Sequence, residues 1–204
     1  MRVRRLAMLL SSLSEQSDRS SELEQYSTEG DLAARWLTDI ASFGDLQEGC
    51  WVADLGTGNG ILGIGAMLLG AGRATLVDAD QSACDAAIRN TESMDFQESS
   101  EVLQVKLGSD QFSLGNVDLL ICNPPWGRQL FGADRPFIDE IIKTKVTSHL
   151  MHSSEAKHIG PIFEESGWSV ERYGEADFSL PANYSHHSRE RGKTRAAFWR
   201  LSPP

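Results

Sequence analysis

Cys50-Trp-Val-Ala-Asp-Leu-Gly-Thr-Gly-Asn-Gly-Ile-Leu-Gly-Ile-Gly-Ala-Met-Leu-Leu69 is the stretch that decides the fold. Residues 50–55 read as a short apolar strand, Gly56-Thr-Gly-Asn-Gly60 as a tight turn, and 61–69 as a buried helix. Gly63 and Gly65 cost helix propensity but let the helix pack closely on a sheet. Gly70 and Gly72 end it. Outward from this unit the alternation continues. Residues 74–78 read as a second strand, 81–90 as a helix, 102–107 as a third strand and 117–122 as a fourth. Further on, 136–148 read as a helix, 149–152 as a short fifth strand and 156–165 as a helix; 168–173 and 195–201 close the chain as an antiparallel pair. Strands separated by helices imply an α/β fold with a mostly parallel sheet, here of seven strands.

Upstream, residues 31–43 place Leu32, Trp36, Leu37, Ile40 and Phe43 at helical spacing, so Trp36 reads as core rather than as a base-stacking ring. Residues 11–24 read as a polar linker or loose helix. The first ten residues read as an amphipathic helix: the apolar run is only Leu6 to Leu10 and no small-residue cleavage site follows. With no run near the ~20 apolar residues of a membrane span, a cytoplasmic location is the expectation. The 204 residues fit one domain, with 1–48 as an N-terminal helical lid segment and 49–204 as the core.

Cys50, Cys84 and Cys122 are isolated, with no Cys-x-x-Cys pair, and read as buried thiols; the histidines lack metal-ligand spacing, so no metal is expected. Net charge is -10, but between 186 and 200 five basic residues face only Glu190, a local +4 that leaves -14 for the rest. Contact with nucleic acid is therefore expected at this basic segment, through His186, His187, Arg189, Arg191 and Lys193.

Parallel sheets bind ligands beyond the carboxyl ends of their strands, and each motif here lies at such an end. In Asp54-Leu-Gly-Thr-Gly-Asn-Gly60 the glycines allow close backbone approach to a ligand. A dinucleotide turn wants its third glycine at 61, where Ile61 stands, so a diphosphate site is disfavoured. The pattern is similar to that of class I methyltransferases dependent on S-adenosylmethionine (SAM), whose methionine portion lies against this turn. That likeness implies a Rossmann-like fold with helices on both faces, and contact from Asp54 through the ammonium or nearby backbone, with Gly58, Asn59 and Gly60 in the cradle. Asp78 ends the second strand, where an acid accepts hydrogen bonds from a ribose diol, while Asp80 reads as a cap for the next helix.

Asn123-Pro-Pro-Trp-Gly127 follows the fourth strand directly. The prolines fix the backbone and leave carbonyls free to accept. The Asn123 side-chain oxygen and the Pro124 carbonyl can each take one hydrogen of an exocyclic NH2 and turn the nitrogen lone pair out of its ring. Pro125 stiffens the turn, and Trp126 is expected to stack on the flat group carrying the amine. This is catalysis by positioning and electrostatics.

The whole chain resembles the archaeal and eukaryotic small-subunit rRNA adenine-N6 methyltransferases. The likeness runs through Leu23-Glu-Gln-Tyr-Ser-Thr28, Ala33-Ala-Arg35, Val52-Ala-Asp-Leu-Gly56, Ile64-Gly65, Met67-Leu-Leu-Gly-Ala-Gly72, Asn123-Pro-Pro-Trp-Gly127 (the family usually has Phe for Trp), Gly132-x-Asp134 with Phe137, and Leu180-Pro-Ala-Asn-Tyr184. It implies that Gln25 and Thr28 fold over the cofactor and that Gly56, Ile61 and Asp78 contact SAM. Lys106 stands where the family tends to carry an Asp near the cofactor adenine, leaving the Leu107 backbone, or Asp110, to serve that ring. Asn59 replaces a frequent Cys and Ser27 a Pro. The resemblance also implies a small zinc-binding activator protein that adds to a sheet edge, as in the eukaryotic members. Rival readings are a protein-glutamine methyltransferase of the release-factor type, a guanine-N2 rRNA methyltransferase, and a non-catalytic RNA-binding scaffold that kept the fold.

Overall fold

The computed structural model describes residues 1–16, 28–127, 130–179 and 193–204. Two helices, α1 (Val3–Ser11) and α2 (Gly30–Ser42), precede β1 (Trp51–Leu55), α3 (Ile61–Leu68), β2 (Arg73–Asp78), α4 (Gln81–Ser93), β3 (Ser100–Gln104) and β4 (Leu119–Cys122). Then come α5 (Arg135–Thr144), β5 (Ser148–Ser153), α6 (Ile159–Glu165), β6 (Ser169–Ser179) and β7 (Lys193–Ser202). The seven strands form one sheet in the order β3-β2-β1-β4-β5-β7-β6. The first five run parallel, and β7 is antiparallel to both β5 and β6. This is the mixed sheet that the sequence implies.

Successive residues of a strand point to opposite faces, and both faces are covered. Val52, Leu119 and Ile121 meet Leu6, Trp36, Leu37 and Ile64 of α1–α3 on one side. Ala53, Leu55 and Leu120 meet Ile138 and Ile141 of α5 and Phe163 of α6 on the other. Trp36 is fully buried, as its spacing requires, and the three cysteines are free thiols in the interior. Gly63 meets the sheet: a Cβ there would lie 2.1 Å from Leu76. Gly65 serves α2 instead, where a Cβ would lie 2.3 Å from Leu37. Among the described residues no helix is long and apolar enough to cross a membrane.

Several boundaries differ from the sequence reading, and three of them have a clear physical reason. β3 ends at Gln104 rather than 107, because the Lys106 backbone turns away: its N–H donates to Asp110 Oδ2 (2.8 Å) and its carbonyl accepts from Ser109 and Asp110. α5 stops at Thr144 rather than 148, where Lys145 turns left-handed (φ 56°). β6 runs well past 173, because a bulge between Arg172 and Gly174 breaks the two-residue alternation that marks a strand.

Candidate active site

Register builds the site. Leu55 of β1 pairs with Val77 of β2 and with Cys122 of β4. The next residues, Gly56, Asp78 and Asn123, therefore leave the sheet side by side. Chain order reverses across β1 and β4, which is where such sheets open a crevice. Gly56 and Thr57 both donate to the Val77 carbonyl (2.8 and 3.0 Å), which pins the glycine turn to the end of β2. Gly56, Gly58 and Gly60 have φ of 70°, 57° and 88°, a left-handed run that residues with a Cβ rarely adopt. A cavity of about 400 Å³ opens there, within the range of small-molecule sites.

Most sequence-derived candidates line it: Thr28, Gly56, Gly58, Asn59, Ile61, Asp78, Leu107, Asn123, Pro124 and Pro125. Asp78 faces the cavity while its carboxylate accepts from Gly58 N–H (2.9 Å) and Asp80 N–H (3.0 Å), so it also holds the turn in shape. Asp80 caps α4, accepting from Ser82 and Ala83 N–H groups. Asn123 Nδ2 donates to Thr28 Oγ1 (3.1 Å), which joins the N-terminal segment to the end of β4.

Four candidates stand elsewhere. Asp54 is fully buried and absent from the cavity wall. Its Oδ2 accepts from Thr57 Oγ1 (2.7 Å) and Gly63 N–H (2.9 Å), bracing the turn from beneath, while Oδ1 has no partner among the described residues. Burial pushes its carboxyl up to about 6 against the pull of those two donors. Gly60 likewise lies off the wall: its Cα faces Ile64, Ala87 and Leu76. Trp126 is 7% exposed and does not line the cavity. Its indole N–H donates to Asn123 Oδ1 (3.2 Å), and its ring packs on Phe178 (centroids 4.8 Å) and stacks on His152 (6.0 Å). The expected base-stacking ring is thus a buried support for Asn123. Asp110 is also off the wall, bonded to Lys106 N–H. Gln25, His186, His187, Arg189 and Arg191 lie outside the described residues, and Lys193 begins β7.

The sequence reading named Phe137 only as part of the family likeness, without a site role, and missed Leu130 and Phe131; all three line the cavity. Phe137 packs on the glycine turn so closely that a Cβ at Gly56 would lie 3.0 Å from its ring. It also missed a cluster behind Trp126. Asp134 Oδ2 bonds His152 Nε2 (3.1 Å) and His158 Nε2 (2.6 Å), and one ligand atom from each residue lies within 4.8 Å of the others. Metal-ligand spacing alone gave no hint, because the three come from separate elements. The hydrogen bonds argue against a metal here. Ser153 N–H donates to His152 Nδ1 (2.8 Å), so the proton of neutral His152 is on Nε2 and goes to Asp134. Burial would raise the Asp134 carboxyl, but the two histidine bonds outweigh it and hold it down at about 2.

Comparison with known proteins is consistent with this geometry. The family described as ribosomal protein L11 methyltransferase (PrmA) matches residues 31–124. MJ0284 of Methanocaldococcus jannaschii is 33% identical over 196 residues, covering 91% of this chain and 87% of its own. The rRNA N(6)-adenosine-methyltransferase METTL5 of Danio rerio is 32% identical over 186 residues, covering 89% of each. The crystal structure of PH1948 from Pyrococcus horikoshii superposes with a TM-score of 0.88 at 30% identity, covering 100% of this chain and 98% of that one.

Proposed function

Because the chain belongs to the METTL5 family of rRNA N6-adenosine methyltransferases, we propose that it methylates adenine N6 in small-subunit rRNA and that Asn123 and Pro124 grip the amine. SAM, bound in the cradle, supplies an electrophilic sulfonium methyl. The cavity suits that cofactor. Gly58 leaves its side open, with nothing among the described residues within 4 Å of a notional Cβ, and Asp78 offers carboxylate oxygens to a ribose. Thr28, Gly56, Asn59, Ile61 and Leu107 complete the wall that would hold it.

The observation that carries the reading is the pairing of Leu55 with Cys122, which sets Asn123 beside Gly56. Asn123 Oδ1 keeps a lone pair after accepting from Trp126, and Pro124 offers its carbonyl. Two acceptors on one NH2 draw the nitrogen lone pair out of conjugation and aim it across the cavity. The amine needs no strong base, since it can lose its proton after transfer. The basic run that includes Arg189, Arg191 and Lys193 would capture RNA phosphates, which the acidic body repels. A small zinc-binding activator would add to a sheet edge. The chain would act as one domain, 1–204, in the cytoplasm.

The test is mass spectrometry of nucleosides from small-subunit RNA incubated with protein and SAM. N6-methyladenosine should appear with the natural chain, and Asn123→Ala should lower its formation by about 100-fold or more with SAM affinity kept. Methyl transfer to a release factor or to guanine in place of adenine would overturn the reading, as would full turnover by the variant.

A further inference from the structure

Burial of Trp126 leaves the target ring without the aromatic partner that the sequence reading expected there. Another aromatic stands at the cavity. Phe131 is 100% exposed and yet lines the cavity wall, with Leu130, 62% exposed, beside it. Phe137 lines the cavity too, but its ring is packed against Gly56 and the core beneath α5. Phe131 therefore offers an open aromatic face at the mouth, on the far side of Asn123 from the glycine turn in chain order. A single exposed apolar residue is ordinary. An exposed phenyl ring on the rim of a ligand cavity, one turn before its anchoring residue, is not.

Two described residues, one before and one after Phe131, are anchored. Trp126 is clamped between Phe178 and His152 on one side, and Asp134 is tied to His152 and His158 on the other. Gly127 and Gly132 have φ of 71° and 77°, the left-handed region that glycine adopts freely. One imidazole, His152, thus touches both anchored residues.

Resting on the reading above, we infer that Phe131 is the stacking platform for the unpaired purine whose amine Asn123 receives. A neutral, flat heteroaromatic base fits an apolar ring at the mouth of a polar-ended cavity, and base–aromatic stacking tolerates any base. Specificity for adenine then lies with the two acceptors at Asn123 and Pro124, and the platform supplies affinity.

The experiment measures methyl transfer to a single-stranded rRNA segment bearing the target adenosine, with Phe131→Ala and Phe131→Trp beside the natural chain. Phe131→Ala should lower kcat/KM by about 10- to 100-fold, mainly through KM for RNA. SAM affinity by calorimetry should not change. Phe131→Trp should restore transfer to within a few-fold, which a role in folding alone would not explain. Equal transfer by the natural chain and Phe131→Ala overturns the platform and leaves the proposed function standing. A natural chain that binds SAM but leaves every adenine unmethylated overturns both.

Discussion

His149 and His152 stand three residues apart on β5, both buried, each bonded to an aspartate from another element. Strand alternation puts them on opposite faces, and the two faces use them differently. On one face a directed chain runs from Trp36 Nε1–H to Tyr173 Oη (2.7 Å), from Tyr173 O–H to His149 Nδ1 (3.0 Å), and from His149 Nε2–H to Asp45 (2.9 Å). Arg200 closes it with two bonds to Asp45 (2.6 and 2.9 Å). This chain ties α2 to the β5–β7–β6 side of the sheet, away from the cavity. On the other face His152 joins Asp134 and His158 and stacks on Trp126, one residue from the cavity wall. The same residue type on one strand therefore serves stability in one case and site geometry in the other, and what decides is the element that each face meets.

Removing the carboxylate from the distal network should have the largest effect. Asp45→Ala leaves the Arg200 guanidinium and a buried His149 without their shared anion, and should destabilise the fold by about 3 kcal/mol, read by urea unfolding. SAM affinity of the folded protein should not move. A loss below about 1 kcal/mol would mean that solvent already screens the pair, and the contrast between the faces would lose its basis.

Next comes Asp134→Asn, which keeps the shape but weakens the bonds to both histidines. A stability loss of about 2 kcal/mol is expected. Turnover should fall more than SAM affinity, because His152, and with it Trp126, is loosened. Both networks hold a depressed aspartate, since burial of Asp45 is outweighed by its bonds to Arg200 and His149, and the distal one adds a window near neutrality. Burial lowers His149 from 6.5, against the pull of Asp45, so the unfolded chain takes up that proton first and stability begins to fall below about pH 6.5. Asp134 is depressed from 3.8 to about 2, so its contribution is complete above 3.8 and is lost as pH falls toward 2. Urea titrations across pH should show the lower step shrink in Asp134→Asn to the share that Asp45 contributes, while the upper one persists. A variant that keeps the full lower step would refute the assignment.

How much of this was legible in the sequence follows from how local each cause is. The strand, glycine turn and helix at 50–69 and the Asn123 turn are fixed by neighbouring residues, and the paired ends of β1, β2 and β4 bring them together as the alternating pattern implies. The distant causes were hidden. The motif gives the position of Trp126 but not the rotation of its ring, which Phe178 and His152 set from β6 and β5. Asp54 was recognised as part of the motif, yet its work as a brace depends on Gly63 N–H reaching back to it, with Thr57 the nearer clue. Phe131 and Phe137 join the site only because the segment after β4 folds back over Gly56, and no periodicity records that return. The bulge at Tyr173 cut β6 short in the reading for the same reason: a single extra residue inverts the alternation.

The smallest expected effect lies at that bulge. Tyr173→Phe removes one hydroxyl and leaves Trp36 Nε1–H and His149 Nδ1 facing an apolar edge. The ring contacts with Phe43 (4.8 Å) and Phe198 (6.1 Å) would remain. Two polar groups losing a shared partner, with packing intact, should lower stability by about 1 kcal/mol. Methyl transfer should stay as it was, since no step of the path from Tyr173 to Asp45 touches the cavity. A fall in kcat without a fall in stability would show that β5 carries strain from one histidine to the other, and the two faces would then be a single network.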